Sequence, residues 1–69
     1  MAKYWTGDPP AKDDFGDPIT KEFIDGMTKI GPWAFMTPAS FRKRGVGLGT
    51  GRGQRYEKQK DGKWLKVEG

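Results

Sequence analysis

The sequence predicts a mostly β protein: a small antiparallel sheet of two hairpins with one short helical turn. Three observations lead there. Asp25-Gly26 and Lys60-Asp61-Gly62 each lie between segments in which apolar and polar residues alternate, and the Asp-Gly pair in each tolerates the positive φ that hairpin turns need. One stretch alone, Thr37 to Gly45, carries signals for both the start and the end of a helix. Five glycines, Gly45, Gly47, Gly49, Gly51 and Gly53, fall at every second position, which is the period of an extended strand.

Taken in order, residues 1–17 read as a flexible N-terminal arm and residues 18–69 as a single small β domain. The arm holds Gly7-Asp8-Pro9-Pro10 and ends on Phe15-Gly16-Asp17-Pro18, turn chemistry in which proline forbids regular pairing. Tyr4 and Trp5 either anchor it to the core or stand free as interface anchors. Pro18 to Phe23 alternates as a strand, Asp25-Gly26 is the expected turn, and Met27 to Met36 is the expected return, bent at Gly31-Pro32. Thr37 suits a helix N-cap and Pro38 the first helical position. Arg42, Lys43 and Arg44 suit the last turn of the helix, and Gly45 the position after it. Residues 55–59 and 63–67 form the second hairpin, with Tyr56 expected to pair across it with Trp64.

Composition narrows the chemistry. The chain has 69 residues and a net charge of +4, with no cysteine and no histidine. Disulfides and the usual nitrogen and sulfur metal ligands are therefore excluded, as are a histidine base and a cysteine nucleophile. Asp13, Asp14 and Asp17 read as turn and capping residues, so the expectation is a protein that is not an enzyme and uses no cofactor. The longest apolar run is Trp33-Ala34-Phe35-Met36; a cytoplasmic protein without a membrane partner or a small-molecule substrate is expected. Nine aromatic residues must supply much of a thin core.

Charge is unevenly spread. Residues 1–41 carry four lysines against six carboxylates, whereas residues 42–69 carry nine cations against three. The basic excess surrounds and follows the glycine ladder. Phosphate-loop and dinucleotide motifs both need glycines five apart, and the ladder glycines all occupy odd positions, so neither motif can be drawn from them. An extended ladder would have one bare face, and the expected occupant of that face is Trp33 or Trp64. The functional expectation is a small binding module that contacts nucleic-acid phosphates through Arg42, Lys43, Arg44, Arg52, Arg55 and Lys58, with Tyr56 as a stacking residue. The alternative is a protein–protein or assembly module that binds no nucleic acid.

Two resemblances bear on this. Arg44-Gly45-Val46-Gly47-Leu48-Gly49 partly resembles the strand motif of RNA-recognition and cold-shock domains, with Val46 and Leu48 where the stacking aromatics would be. Residues 12–68 resemble the small zinc ribbons of bacteriophage and prophage proteins. Lys12-Asp13-Asp14-Phe15-Gly16 and Thr37-Pro38-Ala39-Ser40 keep the glycine and proline of the two knuckles, with Lys12, Phe15, Thr37 and Ser40 at the cysteine positions. The resemblance implies a zinc-ribbon-like or small barrel-like β fold that has lost its metal, in which Phe15 fills the vacated site.

Overall fold

A computed structural model describes residues 2–69. Four strands, β1 (Glu22–Met27), β2 (Trp33–Met36), β3 (Gly53–Lys58) and β4 (Trp64–Glu68), and one helix, α1 (Pro38–Arg44), follow the chain in the order β1, β2, α1, β3, β4. The sheet order is β2-β1-β3-β4, and every pairing is antiparallel. The predicted class, two hairpins and one short helix, is the observed one.

The first turn lies elsewhere. Asp25 and Gly26 are inside β1, where Asp25 opposes Phe35 and Gln54, and Gly26 opposes Ala34 and Gly53. The chain reverses over Thr28–Pro32 instead. There the Thr28 N–H and hydroxyl both donate to the Pro32 carbonyl, at 3.0 and 2.8 Å, and the Gly31 N–H donates to Thr28 at 3.0 Å. Gly26 is needed for space: a Cβ there would lie 2.9 Å from the Arg52 carbonyl oxygen and 3.0 Å from the Gly53 Cα.

The glycine ladder is not a strand. Gly47, Gly49 and Gly51 take φ of 145°, 123° and 80°, values that side chains strongly disfavour. Gly49 and Gly53 exchange backbone hydrogen bonds at 2.8 and 3.0 Å around a tight turn, and only Gly53 enters β3. Neither Trp33 nor Trp64 lies against these glycines. A Cβ at Gly45 would strike the Phe41 ring, and Gly47 and Gly49 face the Arg52 side chain.

Alternation along the strands gives two faces. Phe23, Asp25, Phe35, Tyr56 and Trp64 share one, and Trp5 packs edge-on against Phe23, Phe35 and Tyr56 with centroids 5.4, 5.3 and 5.5 Å apart. Tyr56 opposes Lys66 rather than Trp64, after a register shift at Arg55/Tyr56. The two aromatics meet through Phe23, at 5.1 and 5.3 Å. The other face carries Ile24 and Met36, fully buried beside α1, which packs on β1 and β2.

Residues 2–17 belong to this domain and are not an appended arm. Lys3 and Trp5 hydrogen-bond along the outer edge of β4 (Lys66 N–H to Lys3 O, 2.8 Å; Trp5 N–H to Trp64 O, 2.9 Å). Further on, the buried Asp13 carboxylate accepts the N–H groups of Phe15, Asp17 and Thr37, each at 2.9 Å. Asp17 accepts the Ser40 hydroxyl at 3.0 Å and the Thr37 hydroxyl at 3.3 Å. The turn over residues 12–17 is thereby tied to the start of α1.

Burial alone would raise the Asp13 pKa, but the N–H groups of Thr37, Asp17 and Phe15, with the Ser40 hydroxyl nearby although donated to Asp17, outweigh it and hold the carboxyl at about 2. Between this value and the ordinary value of 3.8, the unfolded chain binds more protons than the folded one. Stability from this group is therefore full above about pH 4 and falls as the pH drops through about 2. Asp13→Ala is expected to cost about 2–3 kcal/mol in urea titrations at neutral pH, and Asp13→Asn to flatten the loss of stability between pH 4 and 2. Gly26→Ala is expected to cost at least about 2 kcal/mol, because two strand backbones would have to separate.

Candidate functional site

Helix α1 begins as its sequence dictates. The Thr37 hydroxyl accepts the Ser40 N–H, and Pro38 occupies the first turn. At its end the Gly45 N–H returns to the Phe41 carbonyl at 2.9 Å. Gly45 itself is extended, with φ −78° and ψ 156°, so glycine is required there by the Phe41 ring lying against it and not by a left-handed backbone. Arg42, Lys43 and Arg44 fill the last turn, where cations oppose the negative end of the helix dipole.

The 28–32 turn docks on this end of the helix. The Lys29 N–H donates to the Arg44 carbonyl at 2.8 Å, and Thr28 bridges to Gly45. Phe15, delivered by the Asp13 clasp, lies under Arg44 with the guanidinium carbon 4.4 Å from its ring centre. Between them is a groove of about 210 Å³ lined by Phe15, Thr28, Lys29, Ile30, Lys43 and Arg44. Ile30, at the tip of the turn, is 86% exposed. Arg52 joins the same end of the sheet, since its carbonyl accepts the Met27 N–H at 2.7 Å and its side chain lies beside Gly47 and Gly49.

The residues expected to contact phosphate therefore divide. Arg42, Lys43, Arg44 and Arg52 gather at one end, all exposed. Arg55 does not join them. Its guanidinium lies 2.6 Å from Glu57, 2.7 Å from Glu68 and 3.5 Å from Glu22. Burial would lower its pKa, but hydrogen bonds to Glu57 and Glu68 and the charges of Glu68 and Glu22 raise it. This cluster covers the β3–β4 half of the sheet face that α1 leaves bare, and three carboxylates neutralise the cation. Tyr56 is held in the aromatic cluster; burial, then the charge of Asp25, raise its pKa. Lys58 closes the far end of β3, 5.9 Å from the Trp64 ring, five residues or roughly 17 Å from Gly53.

Phe15 does not fill a vacated metal site. It is 37% exposed and stacked on Arg44, while carboxylate hydrogen bonds occupy the space between the two knuckle-like turns. Among the described residues no group of three or more potential metal ligands of the His, Cys, Asp or Glu type comes together, and no helix is long and apolar enough to cross a membrane. Sequence reasoning missed Lys29, Ile30 and Phe15 as partners of the basic helix. Gly31-Pro32 is the signal that places Lys29 and Ile30 in a turn; their docking on α1 is a tertiary contact. Comparison with protein-family profiles, with curated proteins and with solved structures gives no match.

Arg55→Met is expected to destabilise the fold by about 1–2 kcal/mol, because Glu22 and Glu57 are directly opposed and would then repel. The same variant should leave affinity for oligonucleotides unchanged.

Proposed function

We propose that the protein is a small non-enzymatic, cytoplasmic module that binds nucleic-acid phosphates through the basic end formed by α1, the 28–32 turn and the glycine loop. The observation that carries this reading is the convergence of Lys29, Arg42, Lys43, Arg44 and Arg52 on one end, with none of them in an ion pair. Among the described residues, Arg55 is the only cation that is paired. Unpaired cations grouped on a rigid support suit a polyanion, and their contacts would be indifferent to sequence. Between Val46 and Arg52 the loop has no side chain at Gly47, Gly49 and Gly51, and carries only Leu48 and Thr50.

The alternative, a protein–protein or assembly module, draws support from Ile30 and from Trp33, 46% exposed at the start of β2, since exposed apolar side chains beside charge are common at protein interfaces. The proposed kinship with phage zinc ribbons has one support. The turns that align with the two knuckles meet, through Asp13 with Thr37 and Asp17 with Ser40.

Fluorescence anisotropy with labelled DNA and RNA at about 50 and about 200 mM salt tests the nucleic-acid reading. Affinity should fall steeply with salt, and replacing Arg42, Lys43 and Arg44 together with alanine should weaken binding at least about tenfold and reduce the salt slope by up to about three. Unchanged affinity in that triple variant, with the fold intact, would sink the assignment.

A further inference from the structure

We infer that the groove between Phe15 and Ile30 is a subsite for one unpaired nucleobase, so that the preferred ligand is single-stranded nucleic acid. The inference rests on the phosphate-binding reading and adds what the basic end selects.

Three features of the groove bear on its occupant. The first is size: about 210 Å³ is below the range of roughly 300–1,000 Å³ that holds drug-sized ligands, and suits a single ring system. The second is its apolar wall. Phe15 keeps 37% of its surface exposed and Ile30 keeps 86%. Ile30 is not held out by disorder, because its turn is closed by the hydrogen bonds of Thr28 to Pro32 and of Gly31 to Thr28. The Phe15 backbone N–H is likewise held by the Asp13 carboxylate, and the Arg44 guanidinium lies over one face of its ring. The third is charge: Lys29, Lys43 and Arg44 surround this wall, and none of them is ion-paired.

A planar ring with stacking faces, carried on the same residue as a phosphate, is the chemistry of a nucleotide. Bases of a single strand have free faces that stack on aromatic rings and guanidinium planes, with phosphates alongside for the cations. A duplex keeps its base faces inside, so it can reach the cations but leaves the slot empty. An acidic peptide can satisfy the cations but brings no planar ring beside each charge.

The test is anisotropy titration of the full chain with a labelled oligothymidylate, a duplex of the same length and an Asp/Glu-rich peptide carrying one leucine. The oligothymidylate should bind about tenfold or more tightly than the duplex at equal salt, in line with the roughly 5- to 150-fold effect of one stacked base. Phe15→Leu and Ile30→Ser should each erase most of that preference and leave duplex affinity within about twofold, while Phe15→Tyr should retain it. Thermal unfolding of each variant monitors the fold, and Ile30→Ser, at the most exposed of these positions, serves even if Phe15→Leu unfolds. Equal binding of strand and duplex, unmoved by either variant, would overturn the base subsite and leave the phosphate reading standing. No binding of either nucleic acid at low salt would overturn both. Peptide binding tighter than oligothymidylate would overturn both in favour of a protein partner.

Discussion

The Asp13 carboxylate accepts backbone N–H groups from its own turn and from Thr37 at the head of α1, and the arrangement of the basic end depends on those bonds. They fix the start of the helix relative to a loop more than twenty residues earlier. That sets where Phe15 lies and therefore what Arg44 stacks on. A buried carboxylate is costly without such donors; with them it becomes a clasp that also satisfies three backbone groups. The same chain segment reaches the sheet through Asp14, whose N–H and carboxylate take both outward polar groups of Phe35.

A thin core makes these attachments matter. Among the described residues only Phe23, Ile24, Met36 and Trp64 are buried apolar side chains, so much of the stabilisation comes from half-buried aromatics organised around Trp5. Both outer strands are covered, β4 by Lys3–Trp5 and the centre of β2 by Asp14. Covered edges guard a small sheet against pairing with other chains. The N-terminal residues thus seal one edge, supply the central ring of the core and carry Phe15 to the candidate site.

Local chemistry was legible in the sequence, and long-range packing was not. The helix was readable from Thr37, Pro38 and the three terminal cations because caps and dipole partners act within one turn. The second hairpin was readable from Lys60-Asp61-Gly62 and the alternation around it. Asp25-Gly26 misled because a glycine needed for close approach of two strands looks the same as one needed for a turn. The ladder misled likewise: alternate glycines fit an extended strand, but they also permit alternate positive φ, which is how this loop uses them. The prolines of the first 17 residues suggested a free arm, yet they bar only regular pairing and leave Trp5 and Asp13 free to dock. At the site, Arg55 looked equivalent to Arg44. The difference is three glutamates: Glu57, two residues along the same strand, and Glu22 and Glu68, which strand register brings in from β1 and β4.

At one end of the small sheet, cations from α1, the 28–32 turn and the glycine loop stand unpaired around two exposed apolar side chains, Phe15 and Ile30. The opposite end carries Lys58, Lys60 and Lys63 as well, so net charge alone does not distinguish the two. Backbone amide chemical-shift mapping during titration with a single-stranded oligonucleotide does so directly. Shifts are expected to concentrate at residues 15, 28–31, 42–45 and 47–52, with residues 58–63 unmoved. Shifts centred on residues 58–63, or none at saturating oligonucleotide and low salt, would contradict the assignment of nucleic-acid binding to the α1 end.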